Sequence, residues 1–391
     1  MISAAAIALS VAMLFSQQPA ELPEQQTDTD MQYEIQNTID TLDLNDMRLQ
    51  YEGDGLFSDM GAPNLRDMVA MASTGELPFS AWDIFKQLGS RFFTGLQKNA
   101  AFLLKIVVLA IIMSLLGAIG PQNMSGEVSK LCGMVIYLVA AALIAQSLVG
   151  VMDIGTTAVR TMITQIESIF PIMITLMVAV GGVASAGIFQ PAMAVLTGAI
   201  GTFLQKVILP LVLVYGILTL VKNTSDRVQI SNMAKLVRTA AVWLIGAVFV
   251  VFLGVSSLQG LGGGVYDGVT LRTAKFAIDK IVPIVGGMFS DTVDTLIGCS
   301  LVVKNGVGIV GLLMIAGSAI IPVINIAAIS FIYKIGAAVI EPFGEKSISN
   351  CLGDMSNVFT LMYVVVLATG AMMFIMVSLL INAGNMNVML R

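Results

Sequence analysis

Long apolar runs recur from residue 101 to the C-terminus, and they limit what this chain can fold into more than any other feature. About 20 apolar residues are enough to cross a bilayer as a helix. These runs are apolar on every side, whereas a transmembrane barrel needs alternation with a period of two. Charged residues make up only 12% of the chain, about half the share found in a soluble domain. The sequence therefore predicts an all-α, polytopic membrane protein.

Seven of these runs are long enough to span a bilayer, and the more polar segment 281–303 is either an eighth pass or a re-entrant hairpin. The seven predicted spans are 101–120, 131–151, 169–189, 191–221, 239–262, 305–333 and 358–383. Segment 191–221 is longer than a span needs and contains Lys206 and Pro210. We expect it to be tilted, kinked or broken. The prediction is thus seven or eight transmembrane helices within residues 101–391.

Acidic residues are concentrated before the membrane domain. Residues 17–83 hold 14 of the 25 acids and only two of the 20 bases, Arg48 and Arg66, a net charge of −12. The other 11 acids and 18 bases sum to +7. We predict that residues 17–83 form a small acidic helical head. Its charge argues against nucleic acid as a partner.

The first 16 residues favour a head outside the cytoplasm. Residues 2–15 are an apolar run of the length found in signal peptides, although no base precedes it and no clear cleavage site follows. An uncleaved short anchor is the alternative. The positive-inside rule opposes this orientation, since seven spans would then place 11 bases on outer segments and 6 on inner ones. We expect an extracytoplasmic head.

The segment 84–100 links the head to the first span. Ser80 and Asp83 form a capping-box pattern that predicts a helix start. The apolar face of this helix consists of Phe85, Leu88, Phe92 and Leu96. Basic residues lie elsewhere on it, so we predict an amphipathic helix in the membrane interface.

A charged stretch, 266–304, separates two apolar segments. Ionisable groups beside or inside hydrocarbon are costly and persist when they face protein, water or a partner. The candidate residues for a polar path or a partner contact are Arg272, Lys275, Asp279, Asp291, Asp294 and, at a predicted helix end, Glu341. The alternatives are a solvated anchoring face, a polar hairpin tip and an ordinary charged helix end.

A weak self-similarity at an offset of 112 residues suggests an internal repeat. Arg160 falls on Arg272, Pro171 on Pro283, and both Pro210 and Lys222 also find identical residues at this offset. The candidate repeats are 131–238 and 243–350, and chance agreement is the alternative. Repeats separated by three passes would be inverted in the membrane, as in many transporters.

The sequence contains no residue pattern that indicates an enzyme. Histidine is absent and the three cysteines lie far apart. No Ser/His, Cys/His or metal-binding pattern is present. We therefore expect no enzymatic activity, no cofactor and no metal.

Five strings resemble one family. They are DGVTLRTAKF (267–276), VPIVGGMFSDTVDT (282–295), SLVVKNGVGIVG (300–311), FIYKIGAAVIEPFG (331–344) and INAGN (381–385). Together they resemble the stage III sporulation protein AE family of endospore-forming bacteria. The resemblance covers roughly residues 100–391, and it supplies no catalytic residues.

The resemblance implies a multi-pass protein of the mother-cell membrane around the forespore. It implies a place in the stage III A channel or secretion complex that links the two cells, as its permease-like or export-gate part. The implied partners are an ATPase, other small membrane proteins and ring-forming proteins of the intermembrane space. Two other classes stay open from the sequence: a stand-alone secondary transporter of a small solute or ion, and a purely structural membrane scaffold.

Overall fold

The computed structural model describes residues 28–52, 61–76, 78–123, 126–222, 230–259, 286–343 and 346–389. Within these ranges the chain is helical and contains no strand, as predicted for an all-α protein. The helices are α1 (Asp28–Thr41), α2 (Asn45–Glu52), α3 (Leu65–Thr74), α4 (Ala81–Asn123), α5 (Gly126–Ala179), α6 (Val183–Phe203), α7 (Leu209–Lys222), α8 (Ser231–Gln259), α9 (Gly286–Ile340) and α10 (Lys346–Met389). A π turn (Leu204–Ile208) joins α6 to α7, and a 3₁₀ turn (Glu341–Phe343) follows α9.

Six helical segments in the described part of the chain are long and apolar enough to cross a membrane. They lie in α4, α5, the continuous α6–α7 unit, α8, α9 and α10. The chain is therefore an all-α membrane protein. The predicted count of seven or eight spans is not confirmed, because single helices cover stretches that the sequence analysis divided.

Helix α5 joins two predicted spans, 131–151 and 169–189, and also the polar stretch between them. The predicted break there is wrong. Its charged residues Asp153, Arg160 and Glu167 are seven residues apart and exposed. They share one face of the helix and so do not interrupt it. The helix ends instead at a tight turn in which Gly181 has a φ of 88°, a conformation that favours glycine.

Helix α9 likewise runs through the predicted boundary at Lys304. Lys304 is fully buried, and its Nζ donates a hydrogen bond to the carbonyl oxygen of Ile381 in α10. The charge is accommodated by a neighbouring helix, so α9 need not end there. From Gly286 to Ile340 the helix has 55 residues, a length of about 80 Å.

The predicted distortion of segment 191–221 is confirmed as the π turn Leu204–Ile208. Pro210 follows it directly and has no N–H to donate to the carbonyl of Lys206. A π turn accommodates such a gap without ending the helix. The chain therefore continues from Val183 to Lys222 as one bent unit.

The long helices alternate in direction. Gly201 lies against Ile163 and Gly216 against Leu148, so the α6–α7 unit runs antiparallel to α5. Gly311 lies against Ile169 and Gly308 near Met173, so α9 is antiparallel to α5 as well. Half of the span residues of α9 and α10 are buried, against 12% for α4. Helices α9 and α10 thus form the centre of the bundle, and α4 lies at its edge.

The N-terminal head packs directly on the bundle. Helix α3 crosses α9 at Gly306, where a side chain would meet Ser73 and would lie 2.7 Å from the carbonyl oxygen of Val69. Within the head, Arg66 pairs with Asp40 at 2.6 Å. The buried residues of α1, α2 and α3 join the hydrophobic core of the long helices. The head is therefore small and helical, as predicted, and it shares its core with the membrane domain.

Helix α4 combines the predicted amphipathic segment 84–100 with the span 101–120. The predicted capping box is confirmed: the Ser80 hydroxyl donates to an Asp83 carboxylate oxygen at 2.7 Å, and the Asp83 amide donates to the Ser80 hydroxyl at 3.2 Å. Trp82 stacks on Phe85, and both are exposed. Exposed aromatic rings at a helix start suit a membrane interface.

The 112-residue repeat stays a prediction. Arg160 lies inside the unbroken α5, and the turn at Gly181 has no matching break in α9. Arg272, which the repeat pairs with Arg160, lies outside the described residues.

Candidate functional site: buried polar contacts and an exposed polar seam

The predicted polar residues do not come together in the described structure. Arg272, Lys275 and Asp279 lie outside the described residues. Asp291 and Asp294 lie in the first turns of α9, with their side chains outside the described part. Glu341 is exposed and begins the 3₁₀ turn at the other end of the same helix. About 70 Å of helix separates it from the two aspartates, since each residue adds about 1.5 Å.

Lys304 is the best-defined polar group of the charged stretch. Its Nζ lies 2.7 Å from the carbonyl oxygen of Ile381, and its side chain is 0% exposed. The next residue, Asn305, has a buried Oδ1 that no described group satisfies. The residue after Asn305, Gly306, contacts helix α3 of the head. This short segment of α9 therefore connects the head, α9 and the end of α10 at one place.

An ion pair joins two helices at the opposite end of the bundle. Lys222, the last residue of α7, lies 2.7 Å from Asp354 of α10, and the two side chains are 20% and 30% exposed. Tyr137 of α5 donates to the carbonyl oxygen of Leu220 at 3.4 Å. The buried thiol of Cys351 lies one turn before Asp354. Polar contacts thus tie α5, α7 and α10 together at this end.

Reciprocal hydrogen bonds join α9 and α10 between these two ends. The Ser330 hydroxyl donates to the carbonyl oxygen of Ser356, and the Ser356 hydroxyl donates to that of Ser330, both at 3.0 Å. Gln165 of α5 is fully buried and donates from Nε2 to the Ser318 hydroxyl at 2.7 Å. Such bonds between membrane helices are worth about 0.6 kcal/mol on average. They fix the register of the central helices.

A line of exposed polar residues runs along α5. Asp153, Thr157, Arg160, Thr164 and Glu167 are all exposed, and we call them the polar seam. They lie in the polar middle of α5, between its two apolar stretches. None of the three charged members forms an ion pair with a described residue. Hydrocarbon is a poor environment for such side chains. The seam must therefore face water or another protein.

Sequence reasoning missed the seam and the Lys222–Asp354 pair. The seven-residue spacing from Asp153 to Glu167 was a usable signal, because it places three charges on one helix face. No comparable signal links Lys222 to Asp354, which are distant in sequence. Lys304 ends the charged stretch, but its sequence context does not distinguish it from the other charged residues there.

The described residues offer no obvious catalytic chemistry. No group of three or more His, Cys, Asp or Glu side chains that could hold a metal ion occurs among them. Cys299 and Cys351 are free and buried. What the arrangement can do is couple helices, hold the head and present charge at a membrane-facing surface.

Comparisons with known proteins agree with the resemblance seen in the sequence. The family described as stage III sporulation protein AE matches residues 63–384. The stage III sporulation protein AE of Bacillus subtilis (strain 168) is 30% identical over 347 residues, which cover 89% of this chain and 86% of that protein. No solved structure matches.

Proposed function

Because the chain belongs to the stage III sporulation protein AE family, a role in sporulation follows, and we propose that it is a permease-like or export-gate subunit of the stage III A complex. In this role it lies in the mother-cell membrane around the forespore and helps to link the two cells. It acts with an ATPase, other small membrane proteins and ring-forming proteins, and it is not itself an enzyme.

The observation that carries this proposal is a set of three exposed charges on the outside of the bundle. Asp153, Arg160 and Glu167 are exposed in the middle of α5 and form no ion pair with a described residue. A protein that worked alone in lipid would have to expose these charges to hydrocarbon, at a cost of about 2.5–3.5 kcal/mol each for Arg or Asp at the centre of the bilayer. A subunit of a larger assembly can cover them with protein or line an aqueous path with them.

The head supports the same proposal. It packs on α9 at Gly306, close to the buried Lys304 that ends the charged stretch. An extracytoplasmic head fixed in this way can join the membrane bundle to components between the two membranes.

A stand-alone transporter and a passive scaffold are less well supported. A stand-alone transporter needs a polar site inside the bundle. Among the described residues, the groove between α4 and α5 is open to the surface and apolar apart from one lysine, and so is not such a site; it is lined by Leu104, Lys105, Val108, Leu109 and Leu143. A passive scaffold gives no reason for exposed charges on α5 that pair with no described residue.

Replacement of Asp291 and Asp294 together by lysine tests the proposal in the sporulating organism. We expect the yield of heat-resistant spores to fall at least tenfold while immunoblots show an unchanged protein level. The matched control is the double change to asparagine, which keeps size and removes charge. Full spore yield from the lysine variant would contradict a role of this region in the complex.

A further inference from the structure

We infer that the polar seam of α5 is the docking surface for a membrane helix of another protein, one that carries a base, an acid and a base at seven-residue intervals. This inference names a partner surface for the proposed subunit. The charge pattern of the partner is argued from the structure alone. Only the assignment of the partner to the stage III A complex rests on the proposed function.

The seam lies level with the most apolar part of the bundle. Met162, between Arg160 and Thr164, lies where Gly370 of α10 contacts Ala319 of α9. At that height α9 carries no charge between Lys304 and Lys334, and α10 carries none after Asp354. The seam charges are therefore at a depth where lipid is an unsuitable neighbour.

The seam is only one residue wide. Its exposed positions alternate in steps of four and three, and the residues beside it, such as Ile154, Thr161 and Phe170, are half-buried. This is the seven-residue pattern along which one helix packs on another. The threonines between the charges are short enough to let a second backbone approach. A broad aqueous channel would instead expose a wider face.

The order of charges along the seam indicates which charges the partner helix must carry. The seam reads acid, base, acid, and the order is the same in both directions. Successive charges are about 10.5 Å apart along the helix axis, too far to pair with each other. A helix with base, acid and base at the same interval satisfies all three charges, whether it runs parallel or antiparallel.

A second copy of this chain does not fit through the same seam. Two seams related by a two-fold axis along the membrane normal would bring Arg160 onto Arg160 and each acid onto its own equivalent. Like charges that face each other are destabilising. The exposed charges described on α4 and α8 do not complement the seam either, because no acid lies between two bases there.

The neighbouring helix strengthens the need for an acid opposite Arg160. Gly201 of α6 packs on Ile163, and the two helices are antiparallel. Lys206 in the π turn is five residues beyond this contact and is exposed. It is therefore level with the Arg160 region of α5. A partner carboxylate opposite Arg160 would therefore lie at the height of a second exposed base.

Photo-crosslinking with defined peptides tests the inference. The full chain, with benzoylphenylalanine at position 157, is reconstituted in phosphatidylcholine vesicles with a biotinylated leucine–alanine transmembrane peptide. One peptide carries Arg, Glu and Arg seven residues apart, and the matched peptide carries Glu, Arg and Glu. We expect at least tenfold more crosslinking to the first. The same probe in place of Trp243, which is 75% exposed on α8, should give little crosslinking to either.

Charge reversal provides the decisive control. In the variant Asp153→Lys, Arg160→Glu, Glu167→Lys, the preference should switch to the Glu–Arg–Glu peptide. Should that variant fail to fold, the neutral variant Asp153→Asn, Arg160→Gln, Glu167→Gln should lose the preference while keeping its elution profile in detergent.

Three results would overturn the inference. These are equal crosslinking to both peptides, crosslinks between two copies of the chain, and reaction of Thr157→Cys with a water-soluble maleimide without peptide crosslinking. The last result would indicate an aqueous path. A normal spore yield in the Asp291/Asp294 experiment, with the peptide preference intact, would remove the proposed role of that region and leave the seam in place.

Discussion

The ammonium group of Lys304 lies 2.7 Å from the carbonyl oxygen of Ile381, within a contact between α9 and α10 that excludes solvent from the lysine side chain. A helical carbonyl already accepts a backbone hydrogen bond and can accept a second. The buried lysine therefore needs this hydrogen bond, whereas the carbonyl oxygen does not. The effect of replacing Lys304 on stability should therefore depend on the charge of the new side chain.

We predict that Lys304→Met is tolerated and Lys304→Glu is not. Methionine is apolar and nearly as long, so it fills the site without a buried charge, a change that is often neutral. Glutamate would place a carboxylate against the carbonyl oxygen of Ile381, and burial of an unpaired charge costs about 3–5 kcal/mol. Thermal unfolding in detergent should show a lower midpoint for the glutamate variant only. Equal stability of the two variants would mean that Lys304 is not enclosed as described.

Gly306 should tolerate no side chain, because α3 crosses α9 there. In Gly306→Ala the new methyl group would lie 2.7 Å from the Val69 carbonyl oxygen, and overpacking of this kind typically costs about 1–3 kcal/mol. We expect faster proteolysis of the head. The matched control is Gly298→Ala in the same helix, which has no atom within 4 Å of the new methyl group. That change should stabilise the helix by up to about 1 kcal/mol.

The Lys222–Asp354 pair should show energetic coupling. Asp354→Asn and Lys222→Gln each leave one partly buried charge without its partner, whereas the double variant removes both. In a double-mutant cycle of unfolding free energies we expect a coupling of about 0.5–3 kcal/mol, the range for residues in contact. Only weak dependence on salt is expected, because the pair is mostly shielded from solvent. Strictly additive effects would show that the pair contributes nothing.

The serine contacts between α9 and α10 should be sensitive to size more than to polarity. Ser330→Ala removes hydrogen bonds to Ser356, yet such bonds in membranes average only about 0.6 kcal/mol. Ser330→Leu would force the helices apart and should cost about 1–3 kcal/mol. Unfolding midpoints in one detergent compare the two variants. If alanine proves as harmful as leucine, the hydrogen bonds matter more than the close packing.

Local patterns in the sequence predicted the features that depend on neighbours in the chain. The apolar runs predicted a helical membrane protein, the Ser80–Asp83 pattern predicted a capped helix, and Pro210 with Lys206 predicted a distorted segment. Each of these depends on residues a few positions apart. Side-chain chemistry at that distance is visible without knowledge of the fold.

Contacts between distant segments could not be predicted in the same way. The charge of Lys304 predicted a boundary between two spans. The sequence does not show that the carbonyl oxygen of Ile381, 77 residues further on, accepts a hydrogen bond from this lysine. The polar stretch of α5 likewise separated two predicted spans, 131–151 and 169–189. Its charges share one exposed face, and a helix with one polar face needs no interruption. The head, expected to have only a small core, was found to share the core of the bundle.

Helix α9 has 55 residues without a break, and its length of about 80 Å exceeds the roughly 30 Å thickness of the hydrocarbon layer more than twofold. Such a helix behaves as a stiff rod. A force applied to the head at Gly306 would be transmitted along this rod as a displacement of the Glu341 turn. The two sides of the membrane are therefore mechanically connected within a single helix.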